Sequence, residues 1–412
     1  MIETTQLTNG VNVVTKRLPG HHSVALGVWI LNGSRHETAA QRGYAHFLEH
    51  LFFKGTTQLD CQSLALRLES MGGQVNAHTG RELTALHGLV PKGDIWELMQ
   101  MLSDMVCHPR FIDQDVVTER HVILQEMAMI EDNPEEALED RAMSLALSDH
   151  PLGQAILGHT DVIKRADAAA LREYMHGHIR GGRIWVVAVG DVEHNALIAA
   201  CHDLAALPTG NTAPQTPPNF RSGVHPFTFH SEQSHIMWLM PIPPASTDDF
   251  HAHLIANHVL GGGVSSRLFQ ELRERRGLVY SVQSRLEHYS DCGIWSINTA
   301  CDPSHVDACR DIVSNAIEQL LHEGVDPSEL DISRRHLGAG MSIDEDNPES
   351  VMERLAREAI YLQGHPDVSE FMNRLNKVTP EATQAALATA WEHHLYTYTN
   401  GEPKDTAALS HH

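Results

Sequence analysis

His46, Glu49 and His50 fall within five consecutive residues of a 412-residue chain, in the order His-x-x-Glu-His. On a helix the two histidines stand at i and i+4, so both imidazoles leave the same face, and Glu49, three residues after His46, lies on that side too. Two imidazoles with a carboxylate nearby suit Zn²⁺, which for catalysis takes a third protein ligand and keeps one position open for water. Two neutral histidines and one carboxylate leave the ion with net positive charge, which brings the pKa of a bound water towards ~7. Glu49 can then take that water's proton and pass it to a leaving amine. Such a short pattern also arises by chance on exposed helices. This one sits in Gly43-Tyr44-Ala45-His46-Phe47-Leu48-Glu49-His50-Leu51-Phe52-Phe53-Lys54-Gly55-Thr56, a largely apolar stretch. Polar groups buried in such a helix need partners, and a metal supplies them.

The elements around the motif alternate in small groups. Val11–Leu18 and Ser23–Leu31 are expected as strands joined by a turn at Gly20, and helices come next at about Gly43–Leu51 and Gln62–Met71. Val75–His78 and Thr84–Val90 are short strand patterns, and long helices are expected near Asp94–Val106 and over Asp113–Leu147. Arg183–Val189 is a near-continuous apolar strand, and a helix begins at about Asn195. Adjacent strands with tight turns favour a mostly antiparallel sheet with helices packed on one face, an α+β class.

This layout occurs twice. Glu131-Asp132-Asn133-Pro134-Glu135 returns 214 residues later as Glu345-Asp346-Asn347-Pro348-Glu349, and Arg120-His121 returns as Arg335-His336 after 215. Two matches in nearly one register, inside the same kind of helical segment, indicate duplication. Between the copies, Leu207–Pro218 holds four prolines and little apolar periodicity, as an exposed linker does. The expected division is therefore 1–207, a linker at 208–220, and 221–412. The second half contains no His-x-x-Glu-His.

Composition removes several classes of function. The 42% apolar and 20% charged residues are ordinary for a globular protein. No apolar run nears the ~18 residues of a membrane span. The opening Met1-Ile2-Glu3-Thr4-Thr5 has neither a secretory nor a transit-peptide pattern, so a cytoplasmic location is expected. Six cysteines without a CxxC pair suggest reduced thiols, not a disulfide framework. A net charge of −23 argues against nucleic acid or an anionic membrane as partner. It suits attraction of basic peptides, and equally plain solubility or a salt-adapted host. Most of the 30 histidines need no metal, and His411 and His412 end the chain as a tag remnant would.

His-x-x-Glu-His is the inverted zinc-peptidase motif, and its surroundings resemble the M16 (pitrilysin/insulinase) peptidase family, in particular its short, processing-peptidase-like members. The resemblance spans essentially the whole chain and implies two homologous α+β domains. It implies a third ligand on a long helix about 75 residues on, a place taken by Glu126, 76 residues after His50. Glu119, two helical turns earlier, would orient a ligand histidine. Gly33-Ser34-Arg35-His36-Glu37 and Gly190-Asp191 match further landmarks. Gly72-Gly73-Gln74-Val75-Asn76-Ala77-His78-Thr79 resembles the family's edge strand, where Asn76 and Ala77 would pair with the substrate main chain. In the second half, Leu260–Tyr280 resembles the segment that carries an Arg and a Tyr seven residues apart, here Arg273 and Tyr280, which would hold the substrate carbonyl and its developing oxyanion.

The function so implied is a zinc-dependent endopeptidase with one Zn²⁺ per chain, acting on short or unfolded peptides inside a dimeric chamber. The expected partner is a second copy, with active sites completed in trans. Two rivals come with the family: a catalytic subunit of a heteromeric processing peptidase, and a non-catalytic paralogue acting as a scaffold. Scaffold members lose metal residues, whereas every one is present in this chain.

Overall fold

Strand residues from Ser23 to Ile30 are apolar at nearly every position, and both of their sides are buried. Val24, Leu26, Val28 and Ile30 face one core, while Ala25 and Trp29 face another. Such continuous apolarity belongs to a strand covered on both faces. The computed structural model describes residues 2–212, 215–362, 364 and 368–401. His411 and His412, and Ala213-Pro214 of the linker, lie outside the described residues.

The first sheet contains β1 (Ile2–Gln6), β2 (Asn12–Arg17), β3 (Ser23–Ile30), β4 (Gln74–Thr79), β5 (Thr84–Pro91) and β6 (Ile184–Gly190). Their order is β1-β2-β6-β3-β5-β4, antiparallel throughout except for the parallel pair β2–β6. The second contains β7 (Gly223–Phe229), β8 (Ser234–Ile242), β9 (Val279–His288), β10 (Gly293–Cys301) and β11 (Leu395–Gly401). It runs β7-β11-β8-β10-β9, again with one parallel pair, β7–β11. Strand for strand, the second sheet repeats the first without β1, as duplication requires. The class is α+β with two tandem domains.

Expected as one element, Asp113–Leu147 is two helices, Asp113–Asp132 and Pro134–Ala146. Pro134 lacks the N–H for an i→i−4 bond and its ring clashes with the preceding turn, so the first helix must stop before it. Asn133 then caps the new helix, its Oδ1 accepting from the Glu135 N–H at 3.0 Å. In the duplicate, Asn347 caps Pro348–Arg357 in the same way, accepting from the Glu349 N–H at 2.9 Å. The repeated Asp-Asn-Pro-Glu is therefore a helix-breaking and helix-starting signal.

The helix after each break leaves its own half of the sequence. One compact unit gathers Met1–Ala128, Gln154–Gln215 and Ser342–His365, and the other gathers Met129–Gly153, Thr216–Met341 and Pro366–His412. The boundary at Gln215/Thr216 falls in the proline-rich stretch, but each unit also takes a helix from the other half of the sequence. In the first unit, Val351, Met352, Leu355 and Ala356 cover the second face of the sheet against Val14, Ala25, Trp29, Val187 and Val189. In the second, Leu138, Ala142, Met143 and Ala146 cover Met237, Leu239 and Ile294. The remaining helices pack on each sheet's other face. No helix among the described residues is long and apolar enough to cross a membrane.

The exchange predicts a stability effect at a distance in sequence. Met352 is fully buried, so Met352→Ala should cost about 2–5 kcal/mol. Hydrogen exchange should show the loss in β3 and β6, strands of the other sequence half. Faster exchange confined to β8 and β10 would contradict the assignment of this helix to the first unit.

Candidate metal centre

The helix bearing the motif spans Tyr44–Phe52 and starts from Gly43, whose φ of 93° is left-handed. A Cβ at Gly43 would lie 2.4 Å from the Leu157 carbonyl oxygen, so both the conformation and the close approach require glycine. Glu37 sets the helix's first turn. Its Oε2 accepts from the Gly43 N–H and its Oε1 from the Ala45 N–H, both at 2.7 Å. A carboxylate there meets free N–H groups and the positive end of the helix dipole. Burial nonetheless pushes the Glu37 carboxyl up to about 8, against the pull of those N–H bonds. Phe47, Leu51 and Phe52 anchor the helix in the first unit's core.

From this helix His46 and His50 project together, ring centroids 4.7 Å apart and planes at 69°. Helix Asp113–Asp132 supplies the third group. Glu126 Oε2 lies 3.7 Å from His46 Nε2 and 3.7 Å from His50 Nε2. Among the described residues these three form the one group of His, Cys, Asp and Glu side chains whose ligand atoms all lie within 4.8 Å of one another. A tetrahedral zinc with bonds of about 2.0–2.1 Å spaces its ligand atoms roughly 3.4 Å apart. The two histidine–glutamate distances are a few tenths of an ångström from that figure, and the donor set of two imidazoles and a carboxylate fits the ion.

The surroundings hold the imidazoles in a metal-ready state. His50 Nδ1 donates to Glu119 Oε2 at 2.9 Å, which leaves the lone pair on Nε2, facing Glu126. Glu119 is buried, and its other oxygen pairs with Lys54 at 2.6 Å. Burial alone would raise the Glu119 carboxyl, but the bonds from His50 and Lys54 outweigh it and hold it below the usual range. For His46, burial, aided by His50 beside it, depresses the pKa to about 4, so its ring is neutral. Its Nδ1 is buried with no hydrogen-bond partner.

Glu49 stands on the same helix with one oxygen committed. The Thr79 hydroxyl donates to its Oε2 at 2.5 Å. Burial raises the Glu49 carboxyl, while the Thr79 bond and His50 oppose the rise. Thr79 ends β4, the edge strand of the sheet. Asn76 and Ala77 lie on that edge strand, and Asn76 Oδ1 accepts from the Ala77 N–H at 2.9 Å.

Arg273 and Tyr280 belong to the second unit, where they meet each other. The Arg273 guanidinium sits over the Tyr280 ring at 5.3 Å and over Phe269 at 4.8 Å, with Tyr280 82% exposed. A second-unit copy of the motif region is also present, with different chemistry. Helix Phe250–Gly261 comes after β8 as the motif helix comes after β3. There Asn257 Oδ1 accepts from Ser284 Oγ at 2.7 Å, as Glu49 accepts from Thr79. His258 Nδ1 lies 2.9 Å from Ser333 Oγ, as His50 meets Glu119, and Ser333 stands 214 residues after Glu119, the offset of the Asp-Asn-Pro-Glu match. Leu254 stands where His46 would. Sequence reasoning assigned no role to Glu37, Lys54 or Thr79. The period-two alternation of Val75, Ala77 and Thr79, which puts Thr79 on the helix side of β4, was the available signal for Thr79.

Comparison with known proteins agrees with this two-part layout. The model of the insulinase family (peptidase family M16) matches residues 12–160, and that of the peptidase M16 inactive domain matches residues 165–337. A Mycobacterium tuberculosis protein named as an uncharacterized zinc protease is 33% identical over 388 residues, covering 92% of this chain and 89% of that one. Bacillus subtilis YmxG, named likewise, is 30% identical over 382 residues, covering 92% and 93%. Two solved structures share the fold at a TM-score of 0.90. They are a peptidase M16 inactive domain from Pseudomonas fluorescens (20% identity, 98% and 99% covered) and a protease from Helicobacter pylori (18%, 97% and 99%). With the motif helix in the first matched segment and its altered copy in the second, the chain belongs to the M16, or insulinase, family of peptidases.

Proposed function

We propose that the chain is a zinc-dependent endopeptidase that hydrolyses short or unfolded peptides. In this reading His46, His50 and Glu126 hold one Zn²⁺ per chain, and Glu49 is the general base. The convergence of His46 Nε2, His50 Nε2 and Glu126 Oε2 carries the reading, and the names of the relatives support it. When bound, zinc supplies a Lewis acid that polarises a carbonyl and makes water a nucleophile near neutral pH.

The chain's own residues do the rest. Glu119, kept ionised by Lys54, fixes the His50 ring and tautomer. Glu49 keeps Oε1 free while Thr79 occupies Oε2, so Oε1 takes the attacking water's proton and returns it to the leaving amine. An extended peptide adds to the free edge of β4, its main chain recognised by the backbone of Asn76 and Ala77. Strand addition needs an unfolded segment, which selects against compact folded proteins. Arg273 and Tyr280 donate to the substrate carbonyl oxygen as negative charge develops on it. In the working enzyme they come from a second copy of the chain, in a C₂ dimer that forms both sites at once.

Three outcomes test this. Glu49→Gln should retain stoichiometric zinc yet lose cleavage of a peptide library, whereas Glu126→Ala should lose metal affinity; cleavage surviving in Glu49→Gln removes the base assignment. A stably folded small protein should resist digestion while its denatured form is cut, and equal rates for both would refute strand addition. For the dimer, a Glu49→Gln chain and an Arg273→Ala chain should be co-expressed with different tags and purified as the mixed dimer. Trans sites leave one of two intact, so about half of wild-type activity should return. A mixed dimer as dead as its parents, or a fully active monomer, would exclude completion in trans.

A further inference from the structure

Glu49 can rotate about three side-chain bonds, and a general base works only when its free oxygen meets the water it deprotonates. One contact restricts it. Thr79 Oγ1 donates to Glu49 Oε2 at 2.5 Å, and Thr84 Oγ1 stands behind Thr79 at 3.3 Å. The Thr84 hydroxyl is itself committed to the Asn32 carbonyl at 2.9 Å, so with the Thr79 proton on Glu49 neither hydroxyl donates across their contact. Thr79 is also the last residue of β4, paired with Thr84 in β5. Its backbone position is set by the strand, and its side chain sets the carboxylate.

We propose that Thr79 is the positioning residue of the Glu49 base, and that through it the edge strand that docks the peptide also aims the base at the peptide's bond. This rests on the reading of Glu49 as base. The second unit shows what the same contact does without that chemistry. Ser284 donates to Asn257 and accepts from the Trp295 indole N–H at 2.7 Å, joining helix to sheet. The hydroxyl bridge is therefore part of the duplicated architecture, and in the first unit it ends on a carboxylate.

The test uses the full chain loaded with zinc and a fluorogenic unfolded peptide. Thr79→Val, or Thr79→Ala should valine fold poorly, keeps its zinc but loses ~10–100-fold in kcat, the scale set by a misplacement of about 1 Å, with KM within about twofold. Thr79→Ser restores kcat to within a few-fold of wild type. Two readouts do not use turnover. Crystals of Thr79→Val show the Glu49 carboxylate in a new rotamer, and Glu49→Gln binds the uncut peptide equally well with and without Thr79→Val. Wild-type kcat in Thr79→Val overturns the proposal, as does failure of serine to restore it. A loss expressed in KM or in peptide affinity makes Thr79 a docking residue instead, and also overturns it. Full cleavage by Glu49→Gln alone defeats the underlying function, a result distinct from any of these.

Discussion

Three polar side chains on one turn and a half of helix, pressed between a sheet and a second helix, impose a strict demand for partners. His46 is buried, and its neighbours in the helix are aromatic and aliphatic. An unpartnered polar group in such a place costs a few kcal/mol. The structure meets most of that demand, His50 Nδ1 with Glu119, Glu119 with Lys54 and Glu49 Oε2 with Thr79, while His46 Nδ1 stays buried without a hydrogen-bond partner. The two Nε2 atoms are left facing the Glu126 carboxylate at 3.7 Å, too far for a hydrogen bond and close to the spacing a metal needs. The elements around the centre fix the width of that gap. Glu37 and Gly43 fix where the helix begins, and the Asp113–Asp132 helix presents Glu119 and Glu126 from one face, two turns apart.

A second constraint shapes the larger frame. Each sheet has two apolar faces, and the helices that come after its own strands cover only one. The other is covered by the helix after the Asn-Pro break in the opposite half. Glu349, at the start of one exchanged helix, lies 3.3 Å from His87 on β5, and Glu135, at the start of the other, accepts from Asn298 on β10 at 3.1 Å. These polar contacts at equivalent places give each exchanged helix a register on its sheet.

Five of the six strands of the first sheet, all but Ile2–Gln6, and the motif helix were legible from alternation and apolar runs, because those patterns are local. The duplication was legible from Asp-Asn-Pro-Glu, but its consequence was not. Asn133-Pro134 lay inside what looked like one helix from Asp113 to Leu147, since apolar spacing continues across it. Proline at a first helical position fits a start as well as an interruption. Nothing local says which sheet the next helix will cover, because Leu138 and Met143 are as apolar as any core residue. At the site, the spacing of His46 and His50 stated the chemistry, whereas Glu126 and Glu119 came from resemblance to a family. Thr79 and Lys54 were hidden because a hydroxyl or an amine acquires its role only from what the fold sets beside it.

The helix exchange also bears on the order in which the protein can be made. A ribosome releases the N-terminal half first, yet the sheet of that half stays open on the face of Ala25, Trp29 and Val187 until Pro348–Arg357 emerges. The helix Pro134–Ala146, made early, has its own place against β8 only once Ser234–Ile242 has emerged. Translation of the first 200 residues therefore yields an unfinished object with an apolar face, the kind of surface that attracts chaperones and like molecules. The same interlock makes the finished chain hard to divide: a single cut in the proline-rich linker separates the sequence halves, but leaves each folded body still holding a piece of the other.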